Sequence, residues 1–437
     1  MESVKIGLLG LGTVGAGTVN VLKRNAEEIE RRAGRSVEIV CASARDLNKP
    51  RACDLDGVRL VADPFEVVTA NDVEVVVELI GGASLSRELV LKAIEQGKHV
   101  VTANKALIAL HGNEIFAAAQ DRGVDVAFEA AVAGGIPIIK AIREGLAGNR
   151  IEWLAGIING TGNFILTEMQ SEGRSFADVL AEAQALGYAE ADPTFDVEGI
   201  DAAHKLTILA SIAFGMPLRF ADVETQGISA VTQEDVQYAE ELGYRIKHLG
   251  IAKRQGRGVE LRVQPVLVPE QALLANVNGV MNAVMVHGDA VGSTAYYGAG
   301  AGAEATASAV VADIVDVVRL LTADPGHKVP HLGFQPHAIN DLEVLPPSEI
   351  VCGHYIRMRV ADESGVLAKI SGLLAESDIN IDAIQQKEPE GPEDDVTVVM
   401  LTDEVREGDL AEALSRIESQ SFVRNGIKRM RVAHFDH

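Results

Sequence analysis

Cysteine and aromatic residues are scarce in this chain. Only three cysteines, Cys41, Cys53 and Cys352, occur among 437 residues, and no two of them form a CxxC pair. A disulfide framework or a cysteine-rich zinc site is therefore not expected, and a reducing compartment fits this usage. Aromatic residues make up 4% and include a single tryptophan, Trp153, which we assign to the core.

Positive charge and long apolar runs are also lacking. Lys and Arg total 39 against 63 Asp and Glu, so the net charge is −24. Such an acidic surface repels phosphate backbones and anionic lipid, which argues against a nucleic-acid or membrane partner but not against a local basic pocket. No apolar run approaches the ~18–20 residues that span a bilayer. The first residues lack a basic leader pattern and predict a strand and a loop, so we expect a soluble cytoplasmic protein.

The first third of the chain has the pattern of a parallel α/β fold. Its length of 437 residues predicts two or three domains. Short Val/Ile-rich runs alternate with amphipathic helices, which is typical of βαβ units. The predicted strands are 4–9, 37–42, 73–79, 99–102 and 124–129. We therefore predict a Rossmann-type domain over residues 1–134.

The rest of the chain predicts two further domains. Residues 135–299 combine glycine-rich turns, helices and antiparallel strands, and we interpret them as an α+β domain. Residues 335–349 contain three prolines and predict a linker. Residues 350–437 follow a βαββαβ order, which is the ferredoxin-like unit. We expect that unit to fold separately, so that truncation at about Ser348 leaves an active enzyme but abolishes inhibition by an amino acid.

A glycine motif follows the first strand and opens the first helix. In Gly10-Leu11-Gly12-Thr13-Val14-Gly15, the first glycine makes the turn, the second lets a pyrophosphate approach, and the third permits close packing. The anion lies at the helix N-terminus. We therefore assign cofactor contacts to Gly10, Gly12, Thr13, Val14 and Gly15.

The end of the second strand indicates which cofactor binds. An NAD enzyme tends to place an acidic residue there, whereas this chain has Ser43-Ala44-Arg45-Asp46. A guanidinium pairs with a 2′-phosphate, so Arg45 favours NADP. The alternative is that Arg45 is a solvated cation and that Asp46 reaches the ribose of NAD.

Polar residues at two further places are candidates for chemistry. Lys105 follows the strand 99–102, at the sheet edge where ligands bind in such folds, although it could be an ordinary surface lysine. Residues 187–205 contain Glu190, Asp201 and Lys205. Their spacing alone allows a solvated helix face, a divalent-metal site without paired histidines, or a site for a cationic amine with Lys205 as acid/base. His204 and His287 are more simply structural.

In combination these motifs resemble homoserine dehydrogenase. The resemblance rests on GLGTVG, TANKALIA, EAAVAGGIPII, NGTGNFIL, GYAEADPTFDVEGIDAAHKLTILA and GAGAGAEATASAVVADI, in that order over residues 1 to about 320. It implies the NAD(P)-dependent interconversion of L-homoserine and L-aspartate 4-semialdehyde in threonine, methionine and isoleucine biosynthesis. Since no kinase-like region precedes the motifs, the monofunctional form is the expected one.

The resemblance also implies roles for individual residues. Lys205 matches the acid/base lysine, Lys105 the lysine between cofactor and substrate, and Gly187 and Gly302 cofactor-contacting glycines. The implied homoserine ligands are Glu190 and Asp201, with Tyr188 and Asp192 nearby. The implied monovalent-cation site, most simply for Na⁺, consists of Glu129, Val132, Gly134 and Ile136.

The C-terminal unit resembles an ACT domain. Its first helix opens at Asp362-Glu363-Ser364-Gly365-Val366-Leu367, and Gly365 and Asn380 are the implied contacts for an amino-acid effector, with L-threonine as the first candidate. The family resemblance implies that residues 1–134, together with about 300–334, form the NAD(P)-binding domain. It also implies that residues 135–299 bind the substrate and dimerise, so that the enzyme is a homodimer or a homotetramer. Two other hypotheses stay open at this point, a different amino-acid-pathway dehydrogenase and a non-catalytic amino-acid sensor.

Overall fold

The computed structural model describes residues 2–321, 329–387 and 395–433. The chain divides into two compact units. Unit 1 consists of Met1–Gly160, Ile200–Val223 and Val280–Leu342. Unit 2 consists of Thr161–Gly199, Glu224–Gly279 and Glu343–His437.

The strands and helices are numbered in chain order. The strands are β1 (Val4–Leu9), β2 (Val37–Ser43), β3 (Arg59–Val61), β4 (Val75–Glu78), β5 (His99–Thr102), β6 (Val126–Ala127), β7 (Ile151–Ile157), β8 (Glu224–Thr225), β9 (Tyr244–Gln255), β10 (Gly258–Pro269), β11 (Met281–Gly288), β12 (Gly292–Ala299), β13 (Glu343–Val344), β14 (Val351–Ala361), β15 (Ile381–Gln386), β16 (Asp395–Arg406) and β17 (Val423–Val432). The helices are α1 (Thr13–Arg24), α2 (Ala26–Ala33), α3 (Phe65–Val68), α4 (Ser84–Glu95), α5 (Lys105–Arg122), α6 (Ile138–Lys140), α7 (Gly160–Glu172), α8 (Phe176–Ala185), α9 (Thr194–Val197), α10 (Ile200–Phe214), α11 (Gln233–Glu241), α12 (Ala303–Leu320), α13 (Val366–Ala375) and α14 (Glu407–Glu418).

Unit 1 contains the predicted Rossmann-type sheet. Its strand order is β3-β2-β1-β4-β5-β6, and every pair is parallel. Val75, Val76 and Val77 of β4 are fully buried, which explains why these strands consist of continuous apolar runs. The order of the strands reverses beside β1, so the crevice between the carboxyl ends of β1 and β4 is the expected ligand position.

Helix α12 packs against α1 in the same unit. A Cβ placed on Gly17 of α1 would lie 2.4 Å from the carbonyl oxygen of Ala303, so only glycine permits this approach. Arg24 and Glu304 also form an ion pair 2.8 Å long between the two helices. Residues 303–320 therefore complete the apolar core around the parallel sheet, with Val19, Val310 and Ile314 among its buried members.

Three further strands of unit 1 pair antiparallel, in the order β7-β11-β12. Trp153 on β7 is buried, as expected, and its ring stacks on that of His287 on β11 with centroids 5.3 Å apart. The two residues are register partners across the strands. His287 is therefore a structural residue of this sheet.

In unit 2 the paired strands follow the order β9-β10-β17-β14-β16-β15, and β8 and β13 run parallel to β10. The last four strands, with α13 and α14, form the predicted ferredoxin-like βαββαβ unit. Its strand β17 pairs with β10 through Val266–Arg431 and Leu267–Val432. The C-terminal unit thus shares one continuous sheet with residues 244–269.

Three local expectations need correction. The strand predicted over 124–129 is only Val126–Ala127, because Glu129–Ala131 forms a 3-10 turn. The predicted linker 335–349 contains β13, which pairs with β10. The strands β7 and β9 were not predicted. The domain boundaries themselves stay a prediction, since unit 1 also includes β7, α10, β11 and β12.

In the described part of the chain, no helix is both long and apolar enough to cross a bilayer.

Candidate active site

The glycine turn has the geometry that its sequence predicts. Gly10 has φ +95°, and a Cβ there would lie 2.9 Å from the Leu79 carbonyl oxygen. A Cβ on Gly15 would lie 2.2 Å from the Gly10 carbonyl oxygen, so Gly15 permits the helix to pack on the turn. Gly12 faces open space, and as N-cap of α1 it supplies no side-chain cap. The first N–H groups of α1, at Thr13 and Val14, therefore fit a pyrophosphate.

The segment after β2 contains Arg45 and Asp46, the two candidates for selecting between NADP and NAD. Arg45 is exposed. The carboxylate of Asp46 accepts a hydrogen bond from the backbone N–H of Asn48 at 2.9 Å, and its carbonyl oxygen accepts one from Arg51. Asp46 is thus bound within its own turn, whereas the Arg45 side chain extends from the surface at the carboxyl end of β2.

Helix α10 brings the central charged residues together in unit 1. It packs along α5, which begins at Lys105. Asp201 and Lys205 are one turn apart, and the distance from Nζ of Lys205 to the Asp201 carboxylate is 2.7 Å. Nζ of Lys105 lies 3.1 Å from the other Asp201 oxygen. One carboxylate therefore joins the two lysines that the sequence singled out.

Burial decides between the interpretations of this helix. Asp201 and Lys205 expose 4% and 9% of their surface, so they do not form a solvated helix face. Burial by itself would raise the pKa of Asp201, but the ammonium groups of Lys205 and Lys105 outweigh it and hold that pKa well below its usual range. In the described residues no cluster of three His, Cys, Asp or Glu side chains could hold a metal ion.

Two neighbours complete the surroundings of Lys205. Its Nζ donates a hydrogen bond to the carbonyl oxygen of Ile158 at 2.7 Å, and Nδ2 of Asn159 donates to Asp201 at 2.9 Å. His204 stacks on Phe220 with ring centroids 4.3 Å apart. Sequence reasoning did not single out Asn159, although it opens the NGTGN segment. Its position directly after a buried strand is the signal that could have identified it.

The residues from Gly187 to Asp192 lie in unit 2. Gly187 has φ +76°, as a turn requires. The Tyr188 ring packs edge-on against Phe164, with ring centroids 5.2 Å apart. The backbone carbonyl oxygen of Tyr188 accepts a hydrogen bond from the Thr161 hydroxyl. Gln184 donates to the carbonyl oxygen of Glu190. The backbone of this turn is therefore fixed.

The carboxylates of that turn face solvent. The Glu190 side chain is exposed, and so is that of Asp192, whose carboxylate accepts a hydrogen bond from the backbone N–H of Thr194 at 3.1 Å. The structure thus places Gly187, Tyr188, Glu190 and Asp192 in unit 2, and Lys105, Asp201 and Lys205 in unit 1.

The residues of the implied cation site lie together in a buried turn of unit 1. Both carboxylate oxygens of Glu129 accept backbone hydrogen bonds, from Ile139 at 2.9 Å and from Lys140 at 2.8 Å. Burial raises the pKa of Glu129. A Cβ on Gly134 would lie 2.6 Å from Oγ1 of Thr306, so glycine is required there. Val132 and Ile136 are buried as well.

Gly302 lies immediately before α12. Its φ of +137° is one that side-chain-bearing residues rarely adopt, and it forms the N-cap of the helix. Because the next residue, Ala303, contacts Gly17, this N-terminus is fixed against α1, which begins at the glycine turn.

A parallel sheet with a glycine turn suited to a dinucleotide, together with a buried lysine able to transfer a proton, is the arrangement expected of a nicotinamide-dependent oxidoreductase. Three family models match the chain: homoserine dehydrogenase at residues 137–315, the NAD-binding domain of homoserine dehydrogenase at 10–129, and the ACT domain at 354–421. The chain belongs to the homoserine dehydrogenase family.

Individual relatives agree with the family models. A homoserine dehydrogenase of Pseudomonas aeruginosa is 62% identical over 432 residues, and 99% of each chain is covered. The crystal structure of a homoserine dehydrogenase from Thiobacillus denitrificans superposes with a TM-score of 0.95 at 60% identity, over 99% of each chain. A hyperthermophilic archaeal homoserine dehydrogenase solved in complex with NADPH has a TM-score of 0.61 at 25% identity, over 74% of this chain and 99% of that one.

These findings confirm the resemblance found in the sequence. The chain is an oxidoreductase of amino-acid biosynthesis that uses a nicotinamide cofactor and a small-molecule substrate, and it carries a C-terminal ACT domain. The hypotheses of a different dehydrogenase and of a non-catalytic sensor are thereby set aside.

Proposed function

We propose that Lys205 is the acid/base group of this enzyme, in the interconversion of L-homoserine and L-aspartate 4-semialdehyde. The observation that carries the proposal is the buried contact between Lys205 and Asp201, 2.7 Å long, beside Lys105. The nicotinamide supplies the hydride chemistry when it is bound. The chain must then supply a proton to the substrate oxygen in the reducing direction and remove it in the other.

Lys205 is suited to that proton transfer. Its ammonium group is oriented from two sides, by the Ile158 carbonyl oxygen and by the Asp201 carboxylate. A fixed donor avoids the entropy loss of aligning a long flexible side chain during the reaction. Lys105 is the second lysine of the proposed site, at the junction of cofactor and substrate, and its contact with Asp201 at 3.1 Å supports this role.

The substrate is an amino acid, so its ammonium group needs a carboxylate. The resemblance assigns Glu190 and Asp201 to it, with Tyr188 and Asp192 nearby. Glu190 is exposed and therefore accessible to a ligand. Asp201 already binds both lysines, so its part includes positioning them.

The cofactor proposal is NADP. Gly10, Gly12, Thr13, Val14 and Gly15 bind the pyrophosphate, with further contacts from Gly187 and Gly302, and Arg45 pairs with the 2′-phosphate. The exposure of Arg45 and the internal hydrogen bonds of Asp46 support this choice. The archaeal relative was solved with NADPH.

The cation proposal is a Na⁺ ion held by carbonyl oxygens in the turn of Glu129, Val132, Gly134 and Ile136. Because the Glu129 carboxylate accepts two backbone hydrogen bonds, its side chain serves to shape the turn. Oxygen donors alone suit a hard monovalent ion. Replacing sodium by tetramethylammonium is expected to lower activity, and adding sodium back to restore it.

The regulatory proposal concerns the ACT domain. Gly365, with φ +92°, and Asn380 are both exposed there, and we assign them to an amino-acid effector, L-threonine first. A homodimer or homotetramer in the cytoplasm completes the proposal.

One assay tests the central proposal. Purified enzyme is mixed with NADPH and L-aspartate 4-semialdehyde, and the loss of NADPH absorbance is followed; the reverse reaction uses L-homoserine and NADP. L-Serine and 4-hydroxybutyrate are the matched controls, since one shortens the chain and the other lacks the ammonium group. Turnover of L-homoserine well above both controls is expected, whereas equal turnover of 4-hydroxybutyrate would contradict the ammonium site.

A further inference from the structure

Glu78 is a fully buried carboxylate at the end of β4, and the reaction chemistry above does not use it. It lies at the carboxyl edge of the parallel sheet, with Leu9 of β1 as register partner on one side and Thr102 of β5 on the other. Burying a carboxylate is costly unless hydrogen bonds replace its water. An apolar residue at this position would pack into the strand without that cost, so a buried carboxylate here indicates a specific role.

Both oxygens of Glu78 are bound by neutral donors. Oε1 accepts hydrogen bonds from the backbone N–H groups of Ile80 at 2.9 Å and Gly81 at 3.3 Å, and from the Ser86 hydroxyl at 3.0 Å. Oε2 accepts a hydrogen bond from the Thr102 hydroxyl at 2.6 Å. The carboxylate thus fixes the turn that follows its own strand and, separately, the end of the neighbouring strand.

The second of these contacts leads directly to Lys105. Oγ1 of Thr102 accepts a hydrogen bond from the backbone N–H of Asn104 at 3.0 Å. The Asn104 side chain caps α5, accepting from the N–H of Leu107 at 3.0 Å. Its Nδ2 also donates to the carbonyl oxygen of Gly82 at 2.6 Å, which closes the path back to the turn after β4. Lys105 is the first residue of the helix so capped.

The first contact leads to the cofactor turn. A Cβ on Gly10 would lie 2.9 Å from the carbonyl oxygen of Leu79 and 3.3 Å from Cα of Ile80, so the chain after β4 packs on the glycine turn. The hydrogen-bond path from Glu78 therefore connects the dinucleotide turn to the helix that presents Lys105.

We propose that Glu78 is a positioning residue, whose carboxylate holds the segments 80–82 and 102–104 in one arrangement and so aims Lys105 at Asp201. The inference rests on the role proposed above for Lys105. A displacement of about 1 Å at a reacting centre can cost up to about a hundredfold in rate.

The test compares Glu78→Gln with Val76→Ala. Glu78→Gln keeps the size of the side chain but replaces one acceptor oxygen with a donor, so the Thr102 hydroxyl loses its acceptor. Its kcat is expected to fall between about tenfold and a hundredfold, with a smaller change in KM for homoserine. Val76→Ala removes buried methyl groups from the same strand. It is expected to lower the melting temperature and to leave kcat at 25 °C within about twofold.

A Thr102 pair tests the same path without touching the carboxylate. Thr102→Ser keeps the hydroxyl and is expected to retain kcat, whereas Thr102→Val is expected to lose as much as Glu78→Gln. The double variant Glu78→Gln/Thr102→Val is expected to be no slower than either single variant, because both break one path. If Glu78→Gln does not fold, the Thr102 pair decides, and equal kcat for its Ser and Val variants overturns the proposal.

Lys105→Met separates this inference from the function on which it rests. If Lys105→Met keeps its kcat, the role of Lys105 is wrong, whatever Glu78 does. If Lys105→Met loses its kcat while folded Glu78→Gln keeps more than half of it, only the positioning role is wrong. In the Lys105→Met background, Glu78→Gln is expected to add no further loss of kcat, and an independent, multiplicative loss would overturn the proposed path.

Discussion

Lys205 lies one helical turn after Asp201, and the two side chains form an ion pair of 2.7 Å inside α10. Removing two charges from water costs free energy that their attraction repays only with good geometry and further hydrogen bonds. Those hydrogen bonds are present, from Asn159 to Asp201 and from Lys205 to Ile158. Since an apolar pair could stabilise the helix equally well, we attribute the pair to chemistry.

Lys205→Met is expected to abolish most turnover. The substitution keeps the length of the side chain and removes the proton donor, and acid/base residues contribute about 10²–10⁴-fold. Binding of NADPH, followed by its fluorescence, is expected to be unchanged. Asp201 keeps Lys105 and Asn159 as partners, so the fold is expected to survive. Lys92→Met on α4 is the control, and a Lys205 variant with a third of the wild-type kcat would reduce Lys205 to an ion-pair residue.

Glu190→Gln is expected to raise KM for homoserine. A hydrogen bond to a charged group contributes about 1.5–3 kcal/mol, which corresponds to roughly 10–150-fold in affinity. Because Glu190 is exposed, its substitution is expected to leave the stability of the fold within about 0.5 kcal/mol. Glu172→Gln, an exposed carboxylate of α7, is the control. Equal weakening of homoserine and NADPH would show that Glu190 supports the turn rather than the substrate.

Arg45→Ala is expected to shift the cofactor preference from NADP towards NAD. Loss of the guanidinium removes a charged partner of the 2′-phosphate, at a cost of about 1.5–3 kcal/mol. The ratio of kcat/KM for the two cofactors measures the shift. Asp46→Ala is the matched variant, because its carboxylate would bind the ribose in the alternative. An unchanged ratio in Arg45→Ala with weaker NAD use in Asp46→Ala would support that alternative.

Much of the fold follows from local sequence. The strand Val4–Leu9, the start of α5 at Lys105 and the βαββαβ order depend on patterns within a few residues, and the structure confirms them. The glycine turn is partly local: Gly15 is required by the Gly10 carbonyl oxygen within the motif, whereas Gly10 is confined by Leu79, 69 positions away. The pairing of Asp201 with Lys205 is set by i,i+4 spacing on one helix.

The features that could not be predicted from the sequence depend on residues that are distant along the chain. Asn159 donates a hydrogen bond to Asp201, 42 positions away, and Thr102 donates one to Glu78, 24 positions away. Neither hydrogen bond can be predicted from the spacing of residues along one helix or strand. Strand β9 has no clear alternation because Lys247 and His248 are both buried within it. Strand β17 pairs with β10, which lies more than 150 positions earlier in the chain. The prolines between these strands predict a linker and so give no indication of this pairing.

The contribution of His248 to stability is expected to fall as the pH drops below about 6.5. Burial lowers the pKa of His248 to about 4, and the neutral ring bonds to the Gln226 carbonyl oxygen at 2.9 Å. At this side chain the unfolded state therefore binds more protons than the folded state between pH ~4 and ~6.5, so the stability that His248 contributes rises with pH in this window. A single such group contributes at most about 1.4 kcal/mol per pH unit.

His248→Gln tests that linkage. Glutamine keeps a donor for Gln226 but does not titrate, so the slope of unfolding free energy between pH 5 and 6.5 is expected to become shallower. Urea unfolding at several pH values measures it. His337→Gln, at an exposed position, is expected to keep the wild-type slope. A slope that is the same in all three proteins would exclude His248 as a contributor.

Removal of the ACT domain is expected to damage the rest of unit 2, contrary to the expectation from sequence that truncation at Ser348 leaves an active enzyme. Tyr355, Val399 and Val432 of the ACT strands share one apolar core with Ile165 and Ile246. Buried Arg262 of β10 lies 3.6 Å from Glu407 of α14, and Arg357 of β14 lies 2.6 Å from Asp235 of α11. A chain that ends at residue 348 would expose that core and leave Arg262 and Asp235 without these partners.

The truncated chain is therefore expected to be insoluble, or to melt at least about 10 °C below the full chain, since partners of buried charges contribute about 3–5 kcal/mol when removed.

Effector binding is better tested by Asn380→Ala in the full chain. Asn380 is exposed, so removing its side chain leaves the shared core intact. That variant is expected to keep kcat and to lose inhibition by L-threonine, with isoleucine, methionine and lysine titrated beside it; Ser377→Ala, on the same loop, is the control. If wild-type enzyme responds to none of the four amino acids, the ACT domain has a structural role only. If a chain that ends at residue 348 is stable and active, the ACT strands do not support the rest of unit 2.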